Sequence, residues 1–165
     1  MKSGLNFIKI LIGSALLLHF ASVCGMVFVT VFQRQLSHFY TTWELPFVLP
    51  STASIVVIVI TLILHCACTL GLLNALNNSA QLKTMSILSA IFAIVLFPLL
   101  MRLEARLFLS GIDTGADALQ AQLILRQLIL NAQIIRNLAI SILLIAASMA
   151  FYHCKYGIPH EAERG

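Results

Sequence analysis

Two histidines stand inside stretches otherwise built of aliphatic and small residues, His19 in Leu16-Leu17-Leu18-His19-Phe20 and His65 in Leu62-Ile63-Leu64-His65-Cys66. An imidazole can move a proton, ligate a metal or a haem iron, or hydrogen-bond a buried hydroxyl, and an ionisable side chain surrounded by hydrocarbon is costly enough to default to a functional reading. Counted along helices from the side that carries the termini, His19 lies about 11 residues deep and His65 about 8, a depth difference of about 4 Å, so the two rings can meet. The plainer alternative is that each ring bonds a Ser, a Thr or a backbone carbonyl across the helix interface. No carboxylate or third histidine completes a recognised metal motif around them. The expectation is therefore no cofactor, with haem or a metal shared by His19 and His65 as the alternative.

A second group of polar residues comprises Arg102, Glu104, Arg106, Asp113, Asp117, Arg126, Asn131, Arg136 and Asn137. Folding the chain back on itself near Asp113 sets Glu104 opposite Gln122 and one helical turn from Arg126. A Glu104 to Arg126 charge pair is the structural expectation, and an anion or polar-substrate site at the membrane surface is the functional one. Arg102 and Arg106, four apart, share a helical face from which long side chains reach headgroup phosphates. The polar-seam or ligand candidates are thus His19, His65, Glu104, Arg126, Arg136 and Asn137. Cys24, Cys66 and Cys68 sit inside apolar stretches and read as small packing residues, and Cys66 and Cys68, two apart on a helix, point to different sides. There is no phosphate-binding glycine loop, no serine or cysteine triad and no zinc-protease helix, so catalytic residues are unassigned.

The elements that must position these residues follow from composition. The chain of 165 residues is 60% hydrophobic and 10% charged, with a mean hydropathy of +0.98, and so cannot cover a soluble globule with polar surface. A bilayer-spanning helix needs about 20 mostly apolar residues. Four stretches qualify, at about 7–33, 47–73, 85–103 and 134–152, and no polar segment remains for a second domain. The expected architecture is all-α: one integral membrane domain over 1–165, an up-and-down four-helix bundle. A signal-peptide reading of the first span, with Lys2 and Lys9 ahead of an apolar run and Ala21-Ser22-Val23 as a cleavage context, is opposed by apolar character that continues through Val31.

Between the first two spans, Arg34 to Pro46 carries His38, Phe39, Tyr40, Trp43 and Glu44, a composition that settles at the headgroup level. Asn77-Asn78-Ser79 marks the next turn. Helix 3 runs on past the bilayer to a stop at Ser110-Gly111, and a helix capped by Asp113 or Thr114 continues without Pro or Gly from Ala116 to Tyr152, about 55 Å. The third connection is therefore an extended helix 3 to helix 4 hairpin. Because Leu, Ile and Val are indifferent between lipid and a neighbouring helix, small and polar residues mark the contact faces. These are Ala15, His19, Ser22, Met26, Thr30 and Gln33 on helix 1 and Ser54, Thr61, His65, Cys68 and Thr69 on helix 2. Helix 3 offers Ser86, Ala90, Ala93 and Glu104, and helix 4 offers Gln122, Arg126, Gln133, Asn137, Ser141 and Ser148.

The net charge of +4 comes with no basic stripe or nucleic-acid motif, so it reports topology and contact with anionic lipid, and no nucleic-acid partner is expected. An even number of spans puts Lys2, Lys9, Lys83, Lys155 and Arg164 on one side and Arg34, Arg102, Arg106, Arg126 and Arg136 on the other. Four of the second set, all but Arg34, are interleaved with Glu104, Asp113 and Asp117. The expectation is both termini in the cytoplasm, in a bacterial plasma membrane.

The run Phe97-Pro98-Leu99-Leu100-Met101-Arg102-Leu103-Glu104-Ala105-Arg106, then Asp113 to Asp117, then Arg126 through Asn131 to Arg136-Asn137-Leu138-Ala139, resembles the small four-span membrane proteins grouped with anthrone oxygenases. They carry a proline and polar residues late in span 3, an acidic linker, and two arginines about ten residues apart at the opening of span 4. The chain departs from that pattern at Met101 and Arg102, where an Asn is usual, and at Leu128 and Gln133, where a Trp and a His are frequent. The resemblance implies an oxidoreductase acting on a lipophilic substrate. The residues themselves point first to a binding or assembly component with a polar seam, partnered by membrane lipids, other membrane subunits or a lipophilic small molecule. A small transporter or channel subunit is the third reading, limited by the little room for a pore in four helices.

Overall fold

In the computed structural model the described residues are 2–39, 52–109 and 118–156, with side chains described over 4–27, 52–107 and 131–154. They form four helices. α1 is Lys2–Phe39 and α2 is Thr52–Ala75. α3 comprises Ser79–Ile91, a π-helical turn Phe92–Leu96 and Phe97–Leu109, and α4 is Ala118–Tyr156. Each contains a stretch long and apolar enough to cross a membrane: Gly4–Val27, Thr52–Ala75, Ser79–Leu107 and Asn131–Cys154. The helices pack in sequence around a square, α1 on α2, α2 on α3, α3 on α4, and α4 back on α1. This is the up-and-down bundle expected. Large aliphatic side chains such as Leu17, Ile63, Ile94 and Ile134 point outward and are exposed, which is the arrangement a lipid solvent favours.

The helix ends have local causes. α3 starts at Ser79, ahead of the expected residue 85, because the Asn78 side chain accepts hydrogen bonds from the Ala80 and Gln81 amides at 3.2 and 3.3 Å and so caps the first turn. α4 continues unbroken through 39 residues, about 58 Å against a hydrocarbon core of about 30 Å. Of the expected anchor segment Arg34 to Pro46, the residues up to Phe39 continue α1 as helix, while Tyr40 to Pro46, the start of span 2 at 47–51, and the turn residues Ser110, Gly111, Asp113, Thr114 and Asp117 lie outside the described residues. So do the side chains of Thr30, Gln33, Gln122 and Arg126.

Two heptad rows bring α1 and α4 together. On α1 the rows are Ile8, Ala15, Ser22 and Ile12, His19, Met26; on α4 they are Ala132, Ala139, Ala146 and Arg136, Leu143, Ala150, all buried except Met26, which is half-buried. Repeats of seven keep one seam facing a partner, and alanine lets the backbones approach closely. The approach is close enough for the Ser22 hydroxyl to donate to the Ala132 carbonyl at 2.9 Å. A similar closeness holds between α2 and α3, where a Cβ at Gly71 would stand 2.9 Å from the Met85 sulfur.

The polar face expected on α4 is corrected by this packing. Asn137, Ser141 and Ser148 are exposed, and Gln133 is only half-buried. The serines need no neighbouring helix, since Ser141 donates to the Asn137 carbonyl and Ser148 to the Leu144 carbonyl, each at 2.8 Å. A hydroxyl satisfied by its own helix four residues back carries little orienting force. The alanine rows, together with Arg136, decide which face turns inward. On α1, α2 and α3 most of the expected residues face inward: Ala15, His19, Ser22, Ser54, Thr61, His65, Thr69, Ser86, Ala93 and Glu104 are buried, and Met26, Cys68 and Ala90 are half-buried.

Candidate functional site

The inner rows of α1 and α2 carry His19 and His65 to the same level, where the two Nδ1 atoms stand 2.6 Å apart and neither residue is exposed. The rings meet edge to face, with centroids 4.6 Å apart and planes at 76°. One Nδ1 must carry the hydrogen and the other must accept it, so the two rings hold opposite tautomers. The nearby hydroxyls do not compete for the rings. Thr61 donates to the Val57 carbonyl, Thr69 to the His65 and Cys66 carbonyls, and Ser22 to Ala132.

α3 walls the pair with two phenylalanines. Phe97 lies 6.4 Å from His19 and Phe92 6.2 Å from His65, centroid to centroid, and the two phenyl rings contact one another at 6.2 Å. Residues five apart on an α-helix would be about 140° apart around the axis. The π-turn removes much of that angle, with the Phe97 amide donating to the Phe92 carbonyl. Its position is explained by Pro98, which has no amide hydrogen and whose ring crowds the carbonyl four residues back; a widened turn before it absorbs the strain. π-turns of this kind are frequent at functional sites.

Toward the end of the bundle away from the termini lies a buried ion pair. Arg136 on α4 donates from its two terminal nitrogens to the two carboxylate oxygens of Glu104 on α3, at 2.5 and 2.7 Å, with side-chain exposures of 0% and 1%. A terminal nitrogen also approaches the Met26 sulfur of α1 at 3.4 Å. This forked geometry is the strongest form of a charge-assisted hydrogen bond. Glu104, expected to pair with Arg126, is paired here with Arg136, and the Arg126 side chain lies outside the described residues. Helix face decides the pairing: Arg136 stands on the inward heptad row with Leu143.

Of the six candidates, His19, His65, Glu104 and Arg136 converge on one polar seam inside the bundle, Asn137 faces outward, and the Arg126 side chain lies outside the described residues. Phe92 and Phe97 were not singled out from the sequence; the signal available was the two aromatics bracketing the turn before Pro98. No group of three or more His, Cys, Asp or Glu gathers among the described residues. The 2.6 Å Nδ1 separation is that of a hydrogen bond, whereas two imidazoles on one tetrahedral ion, with bonds of about 2.0 to 2.1 Å, would hold their nitrogens about 3.3 Å apart. A haem between the two rings would require them to separate by the thickness of the macrocycle, so the direct contact does not fit the shared-haem alternative.

No family model, curated protein or solved structure matches the chain. Geometry therefore carries the functional reading.

Proposed function

We propose that this protein is a binding component of a membrane, holding the polar group of a lipid-soluble molecule in the seam between its four helices. The observation that supports this is a set of three side-chain nitrogens, His19 Nε2, His65 Nε2 and Arg136 Nε, that are buried without a hydrogen-bond partner in the protein. Each such group costs about 1 to 3 kcal/mol when left unmade, and hydrocarbon around the bundle offers it nothing. A guest with oxygen atoms offsets that cost while its apolar part packs on Phe92 and Phe97.

Purification in mild detergent, followed by mass analysis and an absorption spectrum of what stays bound, tests this. A lipid-soluble organic molecule near one per chain is expected in the unaltered protein. Its retention should fall by about tenfold or more, equivalent to about 1.4 kcal/mol, in His19→Phe that keeps its helical content. Identical bound inventories in the two proteins would overturn the reading.

We assign the protein to a bacterial plasma membrane with both termini cytoplasmic. The support is charge placement: Lys2, Lys9, Lys83 and Lys155 lie on the terminal side, while four of the five arginines opposite are interleaved with Glu104, Asp113 and Asp117. After replacement of the four native cysteines, single cysteines at Ser3 and Asn78 should react with an impermeant thiol reagent only in inverted vesicles, and one at Thr114 only in right-side-out vesicles. The reverse pattern would show the opposite orientation.

A further inference from the structure

We propose that His19 and His65 form a two-ring proton relay inside the bundle. The Nδ1 atoms approach to 2.6 Å while the ring centroids remain 4.6 Å apart, so each Nδ1 points at the other ring and each Nε2, on the far side of its own ring, points away. Both Nε2 atoms are buried and unpartnered in the protein. Opposite tautomers make one of them a bare acceptor and the other a protonated donor. The pair is therefore a short wire with an acceptor at one end, a donor at the other and a single shared proton between them.

A transfer balances without any redox partner. A proton binds the bare Nε2 of the first ring, the Nδ1–H bond of that ring breaks as its proton forms a new bond to the Nδ1 of the second ring, and the second ring releases its Nε2 proton. One proton enters, one leaves, and both rings finish neutral with their tautomers exchanged. Because the tautomers are exchanged, a second proton cannot follow in the same direction until both rings rotate or a proton returns. The phenyl contacts of Phe92 and Phe97 oppose rotation. The device thus supports one-for-one exchange of protons rather than continuous conduction. The nearest formal charges, Arg136 and Glu104, neutralise each other, so the wire works between neutral states. Water or a hydroxyl-bearing guest serves equally as donor and acceptor at the ends, so the relay stands independently of the bound molecule proposed above.

The experiment is nitrogen NMR of the full-length protein in lipid bilayers, labelled with ¹⁵N-histidine, carrying His38→Gln, His153→Gln and His160→Gln so that only the pair reports. The expected spectrum has one ring protonated at Nδ1 and one at Nε2, a nitrogen-to-nitrogen coupling across the shared hydrogen, and exchange cross-peaks between the two nitrogens of each ring that vanish on cooling. Matching tautomers with no coupling would overturn the proposal. So would a coupling without exchange, which describes a fixed structural bond. The unsubstituted protein gives the same pair of signals among five histidines, so failure of the triple variant to fold leaves the test intact. Exchange that persists in a preparation shown to hold no guest would retain the relay and remove the binding reading.

Discussion

Replacing Arg136 by methionine with Glu104 left in place is expected to destabilise the bundle by about 3 to 5 kcal/mol, because a carboxylate sealed among helices then has no counter-charge. Glu104→Leu should cost a similar amount, since the Arg136 guanidinium is then the buried charge left without a partner. The double variant Glu104→Leu with Arg136→Met should recover most of the loss. Taking two charges out of water is expensive, and well-packed apolar side chains of similar volume often do as well as the pair they replace. Unfolding of the four proteins in mixed micelles supplies the cycle. Strong coupling between Glu104 and Arg136 is expected, together with a Glu104 to Arg126 coupling below about 0.5 kcal/mol, since ten helical residues set Arg126 about 15 Å along α4 from Arg136. Additive losses at Glu104 and Arg136 would refute the pair.

The same two residues show how far the sequence could be read. Four apolar stretches were legible because a membrane imposes length and composition on each span. The meeting of His19 and His65 was legible because depth along a helix is a simple count and both stand on polar stripes. The partner of Glu104 was not. Folding the hairpin about Asp113 treats the pairing as a matter of loop register, whereas the deciding variable is which face of α4 turns inward. Polar residues at Gln133, Asn137, Ser141 and Ser148 were a misleading guide to that face, because serine satisfies itself on its own helix. The alanine repeat Ala132, Ala139, Ala146 was the informative pattern, and it places Arg136 inward by spacing alone. The π-turn that sets Phe92 and Phe97 against the histidines had one sequence sign, Pro98, which says that a helix must adjust but not how.

Leu143 offers a separate measure of that inward face. In water, a buried leucine is held partly by the cost of exposing it, but in a bilayer lipid tails are as apolar as the side chain, and only packing remains. Leu143 is fully buried among Ala15, Phe92, Phe97 and Ile140, directly beside the level of the histidines. Truncation there leaves a void that neighbouring helices fill only in part. Leu143→Ala is therefore expected to lose about 2 kcal/mol, the low end of the range for leucine truncation because the transfer contribution is absent. Leu138, on the same helix and 53% exposed, should tolerate the same substitution within about 0.5 kcal/mol. A face assignment that followed the serines would turn Leu143 toward lipid and predict a negligible loss there. Unfolding the two single variants side by side decides between those faces, and a smaller loss at Leu143 than at Leu138 would reject the bundle interior described here.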